Sequence, residues 1–155
     1  DDHLNTALAT DGTLWLATKN SVDSFGMPQL VLRIRSPEGR WTNKPYENLE
    51  RRKQPSRPSV IVTEDNSVVF EGHRINNRTV PFVSQIICAR IDTALSTILA
   101  DPKVVILPEG SLDSHVDDVT GPKKPFPSNG PWIVLASDNE GRIYEADLRK
   151  LIIKP

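Results

Sequence analysis

The sequence has little of several features that would mark a protein class at once. It has one cysteine, Cys88, so no disulfide can form within the chain. No apolar run approaches the roughly 18–20 residues of a membrane-spanning helix. Nineteen basic and twenty acidic residues give a net charge of −1, whereas proteins that coat nucleic acid are normally more basic. We therefore expect no disulfide scaffold, no membrane span and no nucleic-acid partner.

What the sequence does contain is typical of one globular domain. The chain has 155 residues, of which 37% are hydrophobic and 25% are charged, which is enough to form a core. Thirteen prolines spread along the chain argue against long helices. The chain opens at Asp1 instead of methionine, so we expect a processed or excised product from which any secretion signal has been removed.

Short alternating runs separated by turns are the clearest pattern. Residues 4–10 and 13–19 flank Asp11-Gly12, which is a strong hairpin signal because type I′ turns need positive φ at both central positions. Similar runs flank Asp65-Asn66 and residues 138–141. Further strands are predicted at residues 29–35, 83–91 and 103–107. Residues 111–130 are predicted to form a long loop.

These recurring hairpins predict an all-β fold of about three four-stranded propeller blades. The single segment 1–155 divides into blades at approximately 1–55, 56–112 and 113–155. A β-sandwich with similar hairpins is the alternative. Closed rings have about four to eight blades, so three blades form an incomplete ring. We therefore expect an exposed apolar face at each end, and further blades from the same or another chain as partners.

Four stretches of the sequence share features with one protein family. They are Asp11-Gly12-Thr13-Leu14-Trp15, Pro28-Gln29-Leu30-Val31-Leu32-Arg33, Arg57-Pro58-Ser59-Val60-Ile61-Val62 and Asp117-Asp118-Val119-Thr120. In this order they resemble the sialidase-like (BNR/Asp-box-related) β-propeller domains of secreted bacterial proteins. The resemblance implies a propeller architecture and an extracellular or cell-surface location. An intact Asp-box (Ser-x-Asp-x-Gly-x-x-Trp) is absent, so sialidase activity is not implied.

Polar residues stand before the first strand of each predicted blade, where the blade entrances of a propeller converge. The candidate binding residues are Asp2, Asn5, Lys19, Arg57, Asp118, Thr120 and Lys124, and His3 is the candidate catalytic residue. Arg57 can hold a carboxylate with two parallel hydrogen bonds, and Lys19 and Lys124 add point charges. This set suits an anionic sugar.

Three functions compete at this point. The first is a secreted or cell-surface module that interacts with glycans without catalysis. The second is a carbohydrate-active enzyme, either a polysaccharide lyase or a glycosidase, in which Arg57 neutralises a carboxylate and His3 acts as the base. The third is a structural subunit that assembles through its exposed faces. In a purely structural interpretation, His3 caps a turn and Arg57 pairs with a neighbouring carboxylate.

Neither a metal nor a cofactor is predicted. The sequence has no zinc-ligand spacing, no calcium-loop pattern, no phosphate-binding loop and no dinucleotide fingerprint. The lone Cys88 is predicted to be a buried, inert thiol in a strand. Trp15 and Trp132 are predicted core residues, whereas Trp41 is expected either between blades or as a surface for stacking on a sugar.

Overall fold

The protein is built mostly of β-strands, which confirms the predicted all-β class. The computed structural model describes residues 4–19, 30–45, 56–66, 68–77, 83–91, 103–107 and 115–152. Its strands are β1 (Leu4–Leu8), β2 (Leu14–Lys19), β3 (Leu30–Arg35), β4 (Trp41–Pro45), β5 (Ser56–Val62), β6 (Val68–Asn77), β7 (Val83–Ile91), β8 (Lys103–Ile106), β9 (Val116–Thr120), β10 (Ile133–Asp138) and β11 (Ile143–Asp147). A short helix, α1 (Leu148–Ile152), follows β11.

The described strands form three antiparallel sheets. The first sheet has the order β1-β2-β3-β4, the second β5-β6-β7-β8, and the third β11-β10-β9. Neighbouring strands in each sheet follow one another in the chain, so each sheet is a meander. The leading strands β1, β5 and β9 stand at sheet edges, and β5 contacts both of the others. The three sheets therefore meet along their leading strands.

One kind of turn closes several of the hairpins. Between β1 and β2, the Gly12 N–H donates to the Ala9 carbonyl at 3.0 Å and the Ala9 N–H donates to the Thr13 carbonyl at 2.9 Å. Gly12 has a φ of +87°, but Asp11 does not have a positive φ. The hairpin is confirmed, whereas the predicted type I′ turn is wrong, because this is a three-residue loop ending in a left-handed glycine. The equivalent left-handed residues in three further hairpins are Gly39, Asn66 and Gly141.

The second sheet is covered on both faces because successive residues of β5 point to opposite sides. On one side, Val60 and Val62 pack with Ile91 against the first sheet. On the other side, Ile61 joins the core shared with the third sheet. The first core also contains Ala9, Trp15, Ala17, Leu30 and Leu32. The second contains Ile86, Cys88, Ile106, Val116, Val119, Phe126, Trp132, Val134, Ala136, Ala146 and Leu148.

These packing arrangements confirm the sequence-based core residues. Trp15 and Trp132 are buried, and the Cys88 thiol is 1% exposed. Trp41 is instead half exposed on the outer face of the first sheet, next to Arg35 in the β3–β4 register. The two end sheets thus each bury one face against the second sheet. Their outer faces carry exposed residues such as Leu8 and Ile143, although Thr18 and Val31 on the outer face of the first sheet are buried.

The third sheet departs from its prediction. Residues 116–120 form the strand β9 instead of part of a long loop, and β9 pairs with β10. The hairpin at residues 138–141 therefore joins the second and third strands of its sheet, and the described residues supply three strands where four were predicted. Asp117 and Asp118 interrupt the apolar pattern of β9, so its strand character depends on pairing with β10. The charged connector predicted at residues 46–55 lies outside the described residues.

Asp138 fixes the turn between β10 and β11. Its Oδ1 accepts hydrogen bonds from the N–H groups of Glu140 and Arg142, both at 2.9 Å. Its Oδ2 accepts one from the Tyr144 hydroxyl at 2.7 Å and one from the Arg142 guanidinium at 3.3 Å. Burial raises the pKa of the Asp138 carboxyl, but these hydrogen bonds outweigh burial and hold the pKa at about 2. Asp138 is therefore ionised throughout the physiological range.

Candidate binding site

A shallow pocket lies where β1, β5 and the chain after β9 come together. Its polar lining residues are Asn5, Thr6, Ser59, Thr120, Lys123 and Lys124. The cavity volume is about 20 Å³. A cavity needs roughly 10–15 Å³ to admit one water molecule. The pocket can therefore hold a single small group, such as one end of a carboxylate, but it cannot enclose a sugar ring.

Asn5 connects β1 to the edge of β5. Its Oδ1 accepts a hydrogen bond from the Val60 N–H at 3.0 Å and one from the Ser59 hydroxyl at 3.2 Å. Within its sheet β5 pairs only with β6, so its other edge would otherwise leave N–H groups unpaired. No described residue is hydrogen bonded to the Asn5 amide nitrogen. That nitrogen remains able to donate to a ligand in the pocket.

The chain after β9 is held against the end of β5. The Phe126 N–H donates to the Val62 carbonyl at 2.9 Å, and the Glu64 N–H donates to the Phe126 carbonyl at 2.8 Å. Gly121 allows a close approach, because a Cβ there would lie 3.3 Å from Ile61 Cδ1. These contacts anchor both ends of residues 120–126.

Two lysines project from this anchored segment. Lys123 and Lys124 are both exposed, and both line the pocket. Exposed ammonium groups keep most of their hydration and are screened by salt, so each attracts an anion weakly when alone. Two such groups beside the Asn5 amide favour an acidic group over a neutral one at this position.

Lys19 and Arg57 form a second group of positive charge. Partial burial lowers the pKa of the Lys19 ammonium, and the nearby charge of Arg57 lowers it further. Arg57 has a φ of +48°, which is uncommon for a residue other than glycine. It lies at an irregularity in the β5–β6 register between Ser56 and Ser59. Neither Lys19 nor Arg57 lines the pocket.

The structure brings some of the predicted residues together and separates others. Asn5, Thr120 and Lys124 line one pocket although they are distant in sequence. Lys19 and Arg57 are close to each other but outside that pocket. Asp2 and His3 lie outside the described residues. The backbone of Asp118 lies in β9, and its side chain is outside the described part of the chain.

Three placements made from the sequence are wrong. Asn5 was expected before the first strand of its sheet, but it lies within β1. Arg57 was expected before the first strand of its sheet, but it lies within β5. Asp118 and Thr120 were also expected before a strand, but they lie within β9. The start of β5 shows no alternating pattern in the sequence, because it contains Pro58 and because Arg57 has a left-handed backbone conformation.

Ser59 is one of three polar pocket residues, with Thr6 and Lys123, that were not among the candidate binding residues. It is buried, and its hydroxyl donates to Asn5. A signal for it did exist, since Ser59 is a small polar residue immediately before the apolar run 60–62. A buried hydroxyl in such a place needs a hydrogen-bond partner, which predicts a contact with another element.

The chemistry available at the pocket is that of binding. The lining residues whose side chains carry hydrogen-bond donors are Lys123, Lys124, Asn5, Thr6, Ser59 and Thr120. No carboxylate or imidazole is among the lining residues that the structure describes. Within the described ranges, no three His, Cys, Asp or Glu side chains are grouped so that they could hold a metal ion.

Comparisons with protein-family models, curated proteins and solved structures found no match for this chain. In the part of the chain that the structure describes, no helix is both long and apolar enough to cross a membrane.

Proposed function

We propose that the chain is a secreted or cell-surface propeller module that binds glycans carrying acidic groups, without catalysing a reaction on them. In this proposal the three sheets are consecutive blades, and β1, β5 and β9 are their innermost strands. Two observations support the radial arrangement. The described residues form three sheets instead of the two of a sandwich, and the leading strand of the second sheet contacts those of both others.

The pocket supports the choice of an acidic sugar. A cavity of about 20 Å³ accepts one functional group of a ligand whose remainder lies on the surface. Lys123, Lys124 and the Asn5 amide supply donors from two different sheets to that position. A sugar carboxylate can accept hydrogen bonds from an amide and an ammonium together. The single observation that carries the proposal is this meeting of cationic and amide donors at one pocket.

Titration calorimetry with an oligouronide and a neutral oligosaccharide of equal length tests this proposal. We expect binding of the oligouronide only, and weaker binding as salt is added. Lys124 is exposed, and an exposed ion pair contributes about 0.2–1 kcal/mol, so Lys124→Ala should weaken binding by about 1.5- to 5-fold. Lys150→Ala is the matched control, because Lys150 is exposed on α1 and does not line the pocket.

Two results would contradict the proposal. Equal affinity of wild type and Lys124→Ala for the oligouronide would remove the pocket from the binding site. Equal binding of the neutral oligosaccharide would show that charge is not recognised.

The enzymatic alternative, in which Arg57 and His3 form a lyase site, is tested by a separate absorbance assay with the same oligouronide. The observation that favours this alternative is the proximity of Lys19 and Arg57, which could together neutralise a sugar carboxylate. A lyase leaves an unsaturated uronate, which absorbs in the ultraviolet. If that absorbance increases with the wild type and does not increase with His3→Ala, the protein is an enzyme and the proposal of a non-catalytic binding module is wrong.

A further inference from the structure

The outer face of the first sheet is apolar and carries positive charge. The register places Leu4, Leu8, Leu14 and Leu16 on this face together with Arg33, Arg35 and Trp41. Leu4 is 68% exposed and Leu8 is 57% exposed. Thr18 and Val31 on this face are buried, whereas Leu4, Leu8 and Trp41 are exposed, and no described element packs on the exposed part. Large apolar side chains grouped on one sheet face are typical of an interaction surface.

The outer face of the third sheet is also apolar, but it carries negative charge. Leu135 pairs with Glu145, and Ser137 pairs with Ile143, so these four residues share one face. Ile143 is 71% exposed, Leu135 is 41% exposed, and Glu145 is exposed. Both outer faces therefore carry exposed apolar side chains, with two arginines on the first and one glutamate, Glu145, on the third.

The packing inside the chain shows how two such faces can fit together. The first sheet packs on one side of the second, and the third sheet packs on the other side. Suppose that each sheet packs on the next one in the same way around a common axis. The outer face of the third sheet is then equivalent to the face of the second sheet that packs on the third sheet. The outer face of the first sheet is likewise equivalent to the face of the second sheet that packs on the first sheet. A contact between the two outer faces would then repeat a packing that the chain already makes twice.

We propose that two copies of this chain associate head to tail through these faces, with Arg33 and Arg35 of one copy opposite Glu145 of the other. This inference rests on the radial arrangement proposed above. Head-to-tail contacts use two different surfaces and form a ring when the rotation closes. Two copies of three sheets give a ring of six, within the range of about four to eight blades in closed propellers.

Light scattering coupled to size-exclusion chromatography, over a range of protein concentrations, tests the proposal. We expect the wild type to have twice the monomer mass of 17.3 kDa. The double variant Arg33→Glu/Arg35→Glu and the single variant Glu145→Arg should each shift toward monomer, because like charges then face each other. Combining all three substitutions in one chain should restore the dimer. Glu64→Arg, in the exposed turn after β5, is the control for a change of charge outside both faces, because it belongs to the second sheet.

If the combined variant forms the dimer again, the single and double variants were monomeric because they lost the contact between copies, and not because they failed to fold. A wild type that stays monomeric at every concentration would overturn the proposal and favour further sheets of a longer chain as the cover of these faces. A dimer insensitive to both reversals would overturn the assigned surfaces. Species that grow with concentration would overturn the closed ring of six sheets. Glycan binding is measured separately, so its failure leaves the mass measurement unaffected.

Discussion

Replacing Asn5 by alanine tests whether one amide side chain holds the first two sheets together. The substitution removes the acceptor of the Val60 N–H and of the Ser59 hydroxyl, at 3.0 and 3.2 Å. Both residues are buried, at 3% and 4% exposure, so neither donor is well placed to turn to bulk water. A buried donor left without a partner costs about 1–3 kcal/mol. We expect Asn5→Ala to lower the free energy of unfolding by that amount.

Urea denaturation followed by circular dichroism measures this change. Asn43→Ala is the matched control, because Asn43 is exposed and accepts one hydrogen bond from Arg33 at 3.2 Å. The control should change the free energy of unfolding by less than about 0.5 kcal/mol. Asn5→Asp keeps an acceptor at the same position and should retain more stability than Asn5→Ala. If Asn5→Ala and Asn43→Ala are equally stable, then the link between β1 and β5 does not support the fold as argued.

Two further predictions concern buried polar atoms. The Asp138 carboxyl has a pKa of about 2, below its ordinary value of 3.8, so its ionised form stabilises the fold above about pH 4 and that contribution is lost as the pH falls through 2. Melting temperatures of wild type and Asp138→Asn should therefore converge between pH 4 and pH 2, and a constant difference would contradict this assignment. Trp15→Ala should cost about 3–5 kcal/mol of stability. Trp15→Phe should cost less than Trp15→Ala, because it keeps an aromatic ring in the core and removes the buried Trp15 Nε1–H, which has no acceptor among the described residues. Urea denaturation measures the free energy of unfolding of both variants. Equal losses of stability would contradict the argument that the buried indole N–H destabilises the wild type.

Hairpins were predictable from the sequence because their signals are local. The alternating runs around Asp11-Gly12 and Asp65-Asn66 gave the pairings of β1 with β2 and of β5 with β6. The turn geometry was not predictable in the same way. Asp-Gly fits both a two-residue type I′ loop and a three-residue loop with glycine in the last position, and the choice depends on which strand residues pair.

The third sheet was harder to predict because β9 depends on a distant partner. Its residues include the adjacent acids Asp117 and Asp118, which break an apolar alternation. Pairing with β10 and the burial of Val116 and Val119 supply the stability that local preference lacks. A single strand omitted in this way shifts the position of every later strand in the predicted repeat.

The pocket could be predicted only in part for a similar reason. Asn5, Thr120 and Lys124 were chosen as polar residues near predicted strand starts, and they do line one pocket. Arg57 was chosen by the same argument, but the irregular start of β5 places it outside the pocket, near Lys19. Sequence position thus gave the neighbourhood of each residue, whereas the direction of its side chain depends on the register of its strand.

Cys88 offers a consequence of a different kind. Its sulfur lies in the core between the second and third sheets and is 1% exposed, and the chain contains no other cysteine. A thiol reagent can reach it only when these two layers separate or the molecule unfolds. The rate of its alkylation in native buffer therefore measures how often the second and third sheets separate, and mass spectrometry detects the added mass.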